Sequence, residues 1–196
     1  HGIVDVDNTA KQSISANTAD EFVGPSGDTW TINEVDFPGY PNIASPDSFN
    51  IYCYTDAPGL PGTPVYSALN VPVGGTNPDF VETLPTPAIL TAGTYWVSVV
   101  GVTSTGNNWY WEMRTVANGN QAAWQEAGGY GTGCNMPTWY NRGNCTGTGA
   151  IPDQMFRLVG TIGGGATATP CSTDAITNGG FETGSFAPWV VLGVQP

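Results

Sequence analysis

Glycine and proline cut this chain so finely that helices have almost no room. With 27 glycines and 16 prolines among 196 residues, no window of about ten residues keeps a 3.6-residue apolar period without a breaker. The intervals instead hold short runs rich in Thr, Val and aromatic residues, the pattern of strands joined by turns. Strands are expected at 30–37, 48–54, 64–71, 79–84, 94–102, 109–116 and 154–162, after a short β-like start at Ile3, Val4 and Val6. Such a series predicts an all-β fold, an antiparallel, jelly-roll-like β-sandwich over residues 1–162. A Gly/Thr/Pro linker over 163–177 then leads to a strand-forming C-terminal extension at 178–196. The length suits one well-cored domain with an extension, and two full domains would be cramped.

Alternation assigns faces within the strands. Phe49, Ile51 and Cys53 are expected inward and Asn50, Tyr52 and Tyr54 outward. Trp109, Trp111 and Met113 share a face opposite Tyr110, Glu112 and Arg114, and Phe156 and Leu158 are core candidates opposite Met155 and Arg157. The stretch 118–152 has no sustained period, and an excursion of that length calls for a role or a staple.

Charged residues make up only 10% of the chain, yet 16 are acidic and 4 basic, for a net charge of -12. Nucleic acid and anionic membrane surfaces require clustered Lys or Arg, so neither is expected as a partner. No apolar run approaches the roughly 20 residues of a membrane span, and no basic-then-apolar signal precedes His1. The expectation is a mature secreted protein, extracellular or at the cell surface. The four cysteines agree with it. Cys134 and Cys145 bracket a turn-rich loop and are the first choice for a disulfide, worth about 3 kcal/mol by chain entropy. Cys53 and Cys171 then pair by elimination, although four cysteines allow three connectivities. A zinc site is poorly supported, with no CxxC and His1 as the single histidine.

The run Ser48-Phe49-Asn50-Ile51-Tyr52, the turn at 56–62, Leu90-Thr91-Ala92-Gly93-Thr94-Tyr95-Trp96-Val97 and Met155-Phe156-Arg157-Leu158-Val159-Gly160 resemble secreted bacterial β-sandwich modules of the choice-of-anchor type. The resemblance spans about residues 28–162 and implies fold and location rather than activity. Asn178-Gly179-Gly180-Phe181-Glu182-Thr183-Gly184 with Trp189 resembles the first strand of carbohydrate-binding jelly rolls. His1 on a secreted β-sandwich resembles the copper-binding lytic polysaccharide monooxygenases, but the second imidazole of their copper site has no counterpart here.

One terminal histidine and oxidised cysteines leave no Ser-His-Asp or Cys-His arrangement. No acid is flanked in a way that argues for glycoside hydrolysis. No catalytic residue is assigned, and an enzyme is not expected. Asp5, Asp7 and Asn8 form an oxygen-rich run that suits Ca²⁺, against the plainer reading of solvated acids on a strand. No other cofactor is expected, apart from Glu182 as a second calcium candidate by the jelly-roll resemblance. Trp124, Trp139 and Tyr140 are candidates for stacking on sugar rings, against the plainer reading that the tryptophans pack the stapled loop onto the sandwich.

Phe181, Phe186, Trp189, Val191 and Leu192 supply one strand's worth of apolar side chains, too few for a core of their own. They are expected to complete a sheet in another domain or another copy, with residues 1–8 as an alternative donor. The leading expectation is therefore a non-enzymatic extracellular structural protein, a surface or filament subunit that assembles with copies of itself by donor-strand complementation. The alternative is a carbohydrate-binding or adhesive module of a larger secreted protein, with surface polysaccharide as its partner.

Overall fold

A computed structural model of the chain describes residues 3–4, 6–8, 15–41, 45–104, 108–147 and 152–164. The five tail residues expected to form an assembly strand, together with His1, Asp5, Cys171 and Glu182, lie outside them. In chain order the elements are β1 (Ile3–Val4), β2 (Val6–Asn8), β3 (Ala16–Pro41), β4 (Ser48–Ala57), β5 (Leu60–Pro72), β6 (Gly75–Thr76), β7 (Asp79–Thr103), β8 (Trp109–Trp111), β9 (Met113–Arg114), β10 (Ala123–Glu126), β11 (Tyr140–Asn141), α1 (Arg142–Thr146), β12 (Asp153–Gln154) and β13 (Arg157–Gly164). The fold is all-β, a curled and mostly antiparallel sheet of sandwich-like form.

Two long strands form its spine. β3 and β7 pair antiparallel from Asp20↔Val97 to Pro38↔Asp79, with register shifts between Gly24 and Thr29 and between Ile32 and Glu34. Bulges of this kind add local twist and bend a strand, which is how a sheet curls over its own core. β4 extends the sheet on the far side of β7 and β5 follows β4. β8 pairs with the end of β3, and β10 pairs with its beginning.

The core fills the curl. Phe37, Phe49, Phe80 and Trp109 meet mostly edge to face, with centroids 5.0 Å apart for Phe37 and Phe49 and 5.1 Å for Phe49 and Trp109. Ile32, Val35, Ile51, Val97 and Val99 complete it. Full burial stabilises by roughly 1.5–3 kcal/mol for each large side chain. Phe49, Ile51 and Cys53 point inward as their alternation predicts. Asn50 and Tyr54 are buried as well, because the excursion after residue 118 covers the other face of the sheet. There Ala123 and Trp139 pack with Ala19, Tyr54 and Trp96.

Several expected boundaries change. Residues 79–84 and 94–102 belong to one strand, β7. Pro85 and Pro87 read as breakers, but Leu84 to Pro87 face Asn33 alone in the second register shift, where a missing N–H leaves no ladder bond unmade. The expected strand at 109–116 divides at Glu112. Trp109 and Trp111 enter the core, whereas Met113 leaves their face to pack beside Trp124 and Cys134, because β9 turns away to pair with β12. Phe156 and Leu158 are half-buried against the core.

Cys134 and Cys145 form the expected disulfide, with Cα atoms 5.9 Å apart. Cys53 does not pair: it is a free thiol, because its inward position in β4 leaves it 2% exposed within the core. Burial pushes that thiol up to about 12.

Candidate functional site

A fork in the spine is the most unusual feature of the sheet. If the β3–β7 ladder continued past Asp20↔Val97, Ala16 would lie opposite Gly101. The strands separate instead, and Val6 of β2 pairs with both, antiparallel to Ala16 and parallel to Gly101. The parallel register continues through Asp7↔Val102 and Asn8↔Thr103. With strands spaced about 4.8 Å apart, an inserted strand holds β3 and β7 roughly 10 Å apart. The slot borders the core, since a Cβ on Gly101 would come within 3.1 Å of Trp109 Cβ. Just before β2, β1 pairs antiparallel with β8 through Ile3↔Trp111 and Val4↔Tyr110. The leading segment thus fills the fork and also extends the sheet beside β8.

A buried polar joint lies at the crotch of this fork. Asp20 Oδ1 accepts the Glu21 N–H at 2.8 Å, and Oδ2 accepts the Gln154 N–H at 2.7 Å, tying β3 to β12. Asp153 Oδ2 accepts the Asn118 N–H at 2.6 Å and pairs with Arg114 at 3.3 Å. Arg142, wholly buried at the start of α1, donates to Gln154 Oε1. Glu21 grips Asn120 through the backbone N–H at 2.5 Å and the side-chain amide at 2.6 Å. Burial raises Asp20 to about 7; the nearby Asp153 charge adds to this, and the Gln154 N–H opposes it. Unpaired buried charge is costly, and here the carboxylates are engaged by protein donors. Gly119 lets the loop pass against Glu21: its φ is +88°, and a Cβ there would lie 1.4 Å from Glu21 Oε1.

Two further carboxylates are spent on loops. Glu82 accepts the Gly74 N–H through both oxygens at 2.9 and 3.1 Å, and burial raises it to about 7 against that hydrogen bond. Glu126 accepts the N–H groups of Tyr130 and Thr132 and the Thr132 hydroxyl, and so shapes the loop that carries Cys134.

Two open cavities, each of about 440 Å³, share Arg114 and Phe156 as a common wall. One has an apolar floor of Phe37, Phe80 and Val81 beneath Asp36, Asp79 and Arg157, with Asp36 accepting from Arg157 Nε at 2.6 Å. The other is lined by Glu21, Asn118 and Gln154 beside Phe22.

Trp124 and Tyr140 are register partners across β10 and β11, yet the aromatic candidates differ in exposure. Trp124 is 2% exposed and presents no face to a sugar; its ring meets Tyr130. Trp139 is half-buried and packs edge-on to Tyr54 at 5.5 Å, and Tyr140 is exposed on β11. With Trp124 buried in the disulfide cluster, the three do not form one exposed platform. Of the calcium candidates, Asp7 and Asn8 lie in β2, and Asp5 lies outside the described residues. Among the described residues no cluster of three metal-ligating side chains occurs, and no helix is long and apolar enough to cross a membrane. The polar joint was not anticipated from sequence. Its available signal was a pair of adjacent polar residues in each of two buried strands, Asp20-Glu21 between Ala19 and Phe22, and Asp153-Gln154.

No protein-family model, no curated protein and no solved structure matches this chain.

Proposed function

We propose that this protein is a non-enzymatic extracellular structural subunit, of a surface layer or filament, whose copies associate by β-strand donation. The fork between β3 and β7 carries the reading: its backbone edges are completed by a short strand that pairs parallel to one wall. Parallel neighbours cannot be joined by a tight hairpin, so β2 meets β7 as a sequence-distant segment added to its edge. Adding an extended segment to exposed edges supplies main-chain hydrogen bonds, the basis of strand-donation assemblies. The disulfide and the scarcity of charge suit a protein that persists outside the cell. The edge strand β5 carries Pro61 and Pro64 and pairs with β4 through register shifts, features that discourage indiscriminate edge-to-edge association. Electron microscopy of the untagged chain tests the proposal: polymers are expected, and uniformly monomeric particles at high concentration would overturn it.

A second reading, a carbohydrate-binding or adhesive module, draws on the twin cavities, whose polar groups converge on a half-buried aromatic ring, Phe156. Apolar surface with a few fixed polar groups is the usual make-up of a small-ligand site. Titration with soluble glycans tests it, and heat of binding that Phe156→Ala removes would support it. Silence across neutral and acidic glycans would dismiss it.

A further inference from the structure

We infer that the strand exchanged between copies is the leading segment Ile3–Asn8, seated in the β3–β7 fork of a second copy of this chain, rather than the strand-like tail at 178–196. This rests on the strand-donation reading and specifies its donor, acceptor and register. The fork already holds this segment in a defined register, with Val6 between Ala16 and Gly101 and Asn8 beside Thr103. The occupant that fits the slot is therefore known from its backbone pairing. β-branched Ile3, Val4 and Val6 favour extended backbone. The segment's described pairings are confined to the short registers with β8, β3 and β7, so its release leaves the long β3–β7 ladder intact. Local opening of so lightly tied an element costs far less than global unfolding.

Residues 9–15 connect the segment to β3. Seven residues fully extended span up to about 24 Å, enough to carry it into the fork of an abutting copy. A copy that has given its segment away keeps an open fork for the next, so donation propagates from copy to copy. In each fork the incoming strand re-forms the pairs seen within one chain, and exchange costs no hydrogen bonds once complete.

Co-expression of two variants that each add one cysteine, Val4→Cys and Tyr110→Cys, tests this in the full chain. The two positions are register partners, and each copy carries only one of them, so mild oxidation can join them only between copies. A reducible band at twice the chain mass, present in the mixture and lost in either variant alone, is the expected result. The pair Asp7→Cys and Val102→Cys, also in register, repeats the measurement should Tyr110→Cys fail to fold. Deletion of residues 1–8 should abolish polymer, whereas deletion of 178–196 should retain it. Polymer without either mixed band, or polymer lost only when 178–196 is removed, overturns the inference and leaves strand donation standing. A full chain that forms no polymer at all overturns both.

Discussion

Stability should fall as pH rises from about 4 to about 7, and Asp20 is the chief cause. Its carboxyl stands near 7 against an ordinary value of 3.8, raised first by burial, and the residue is 1% exposed. Across that window the folded chain holds a proton that the unfolded chain has released. Raising pH therefore favours unfolding, by at most about 1.4 kcal/mol per pH unit, and the effect levels off above pH 7. Over about three units the loss reaches at most roughly 4 kcal/mol, a large share of the 5–15 kcal/mol that holds a typical domain. Glu82, also raised to about 7 by burial, adds a slope of the same sign. Asp47 is held below its ordinary value by hydrogen bonds from Ser104 and acts oppositely, but only as pH drops below about 4. Urea unfolding followed by tryptophan fluorescence at steps from pH 4.5 to 8 reads the effect. Asp20→Asn leaves one of two buried N–H groups without its acceptor and should cost about 1–3 kcal/mol at pH 4.5. It should also flatten the pH dependence, so that variant and parent converge near pH 7. A parent stability that is constant or rises across the window would refute the reasoning, as would an Asp20→Asn variant with an unchanged slope.

Cys53 should resist alkylation at pH 8 in the folded chain and react fully in denaturant, since it is a buried free thiol with a high pKa; rapid native labelling would contradict its placement. Non-reducing peptide mapping should recover Cys134 linked to Cys145, and replacing both with Ser should lower stability by about 3 kcal/mol in a denaturant titration. Gly119→Ala should destabilise by several kcal/mol, because both its positive φ and the contact with Glu21 forbid a Cβ; a midpoint unchanged in urea would contradict the tight passage of that loop.

Much of the architecture was legible because period-two alternation reports which face is buried: Phe49, Ile51, Trp109 and Trp111 all lie where alternation puts them. Continuity was less legible. Pro85 and Pro87 carry the local signature of a turn, and only the pairing partner reveals that they sit in an irregular stretch of β7. The polar joint was hidden for a related reason. Asp20 and Gln154 are 134 residues apart, and nothing local marks an acid as buried when its donors come from a distant backbone. The disulfide was readable from loop length, whereas Cys53 was not, since assigning a partner by elimination ignores which way a strand residue points. The fork is a property of register, and a single sequence encodes register only through contacts between segments far apart in the chain.

Strand donation predicts an association that rises with concentration, because an exchanged strand makes in another copy the same pairs with β3, β7 and β8 that it makes in its own. Sedimentation velocity of the untagged chain, run concentrated and again hours after a hundred-fold dilution, measures this directly. The account predicts fast-sedimenting species in the concentrated run and their decline after dilution. A single boundary at the mass of one 20.5 kDa chain in the concentrated sample would contradict it.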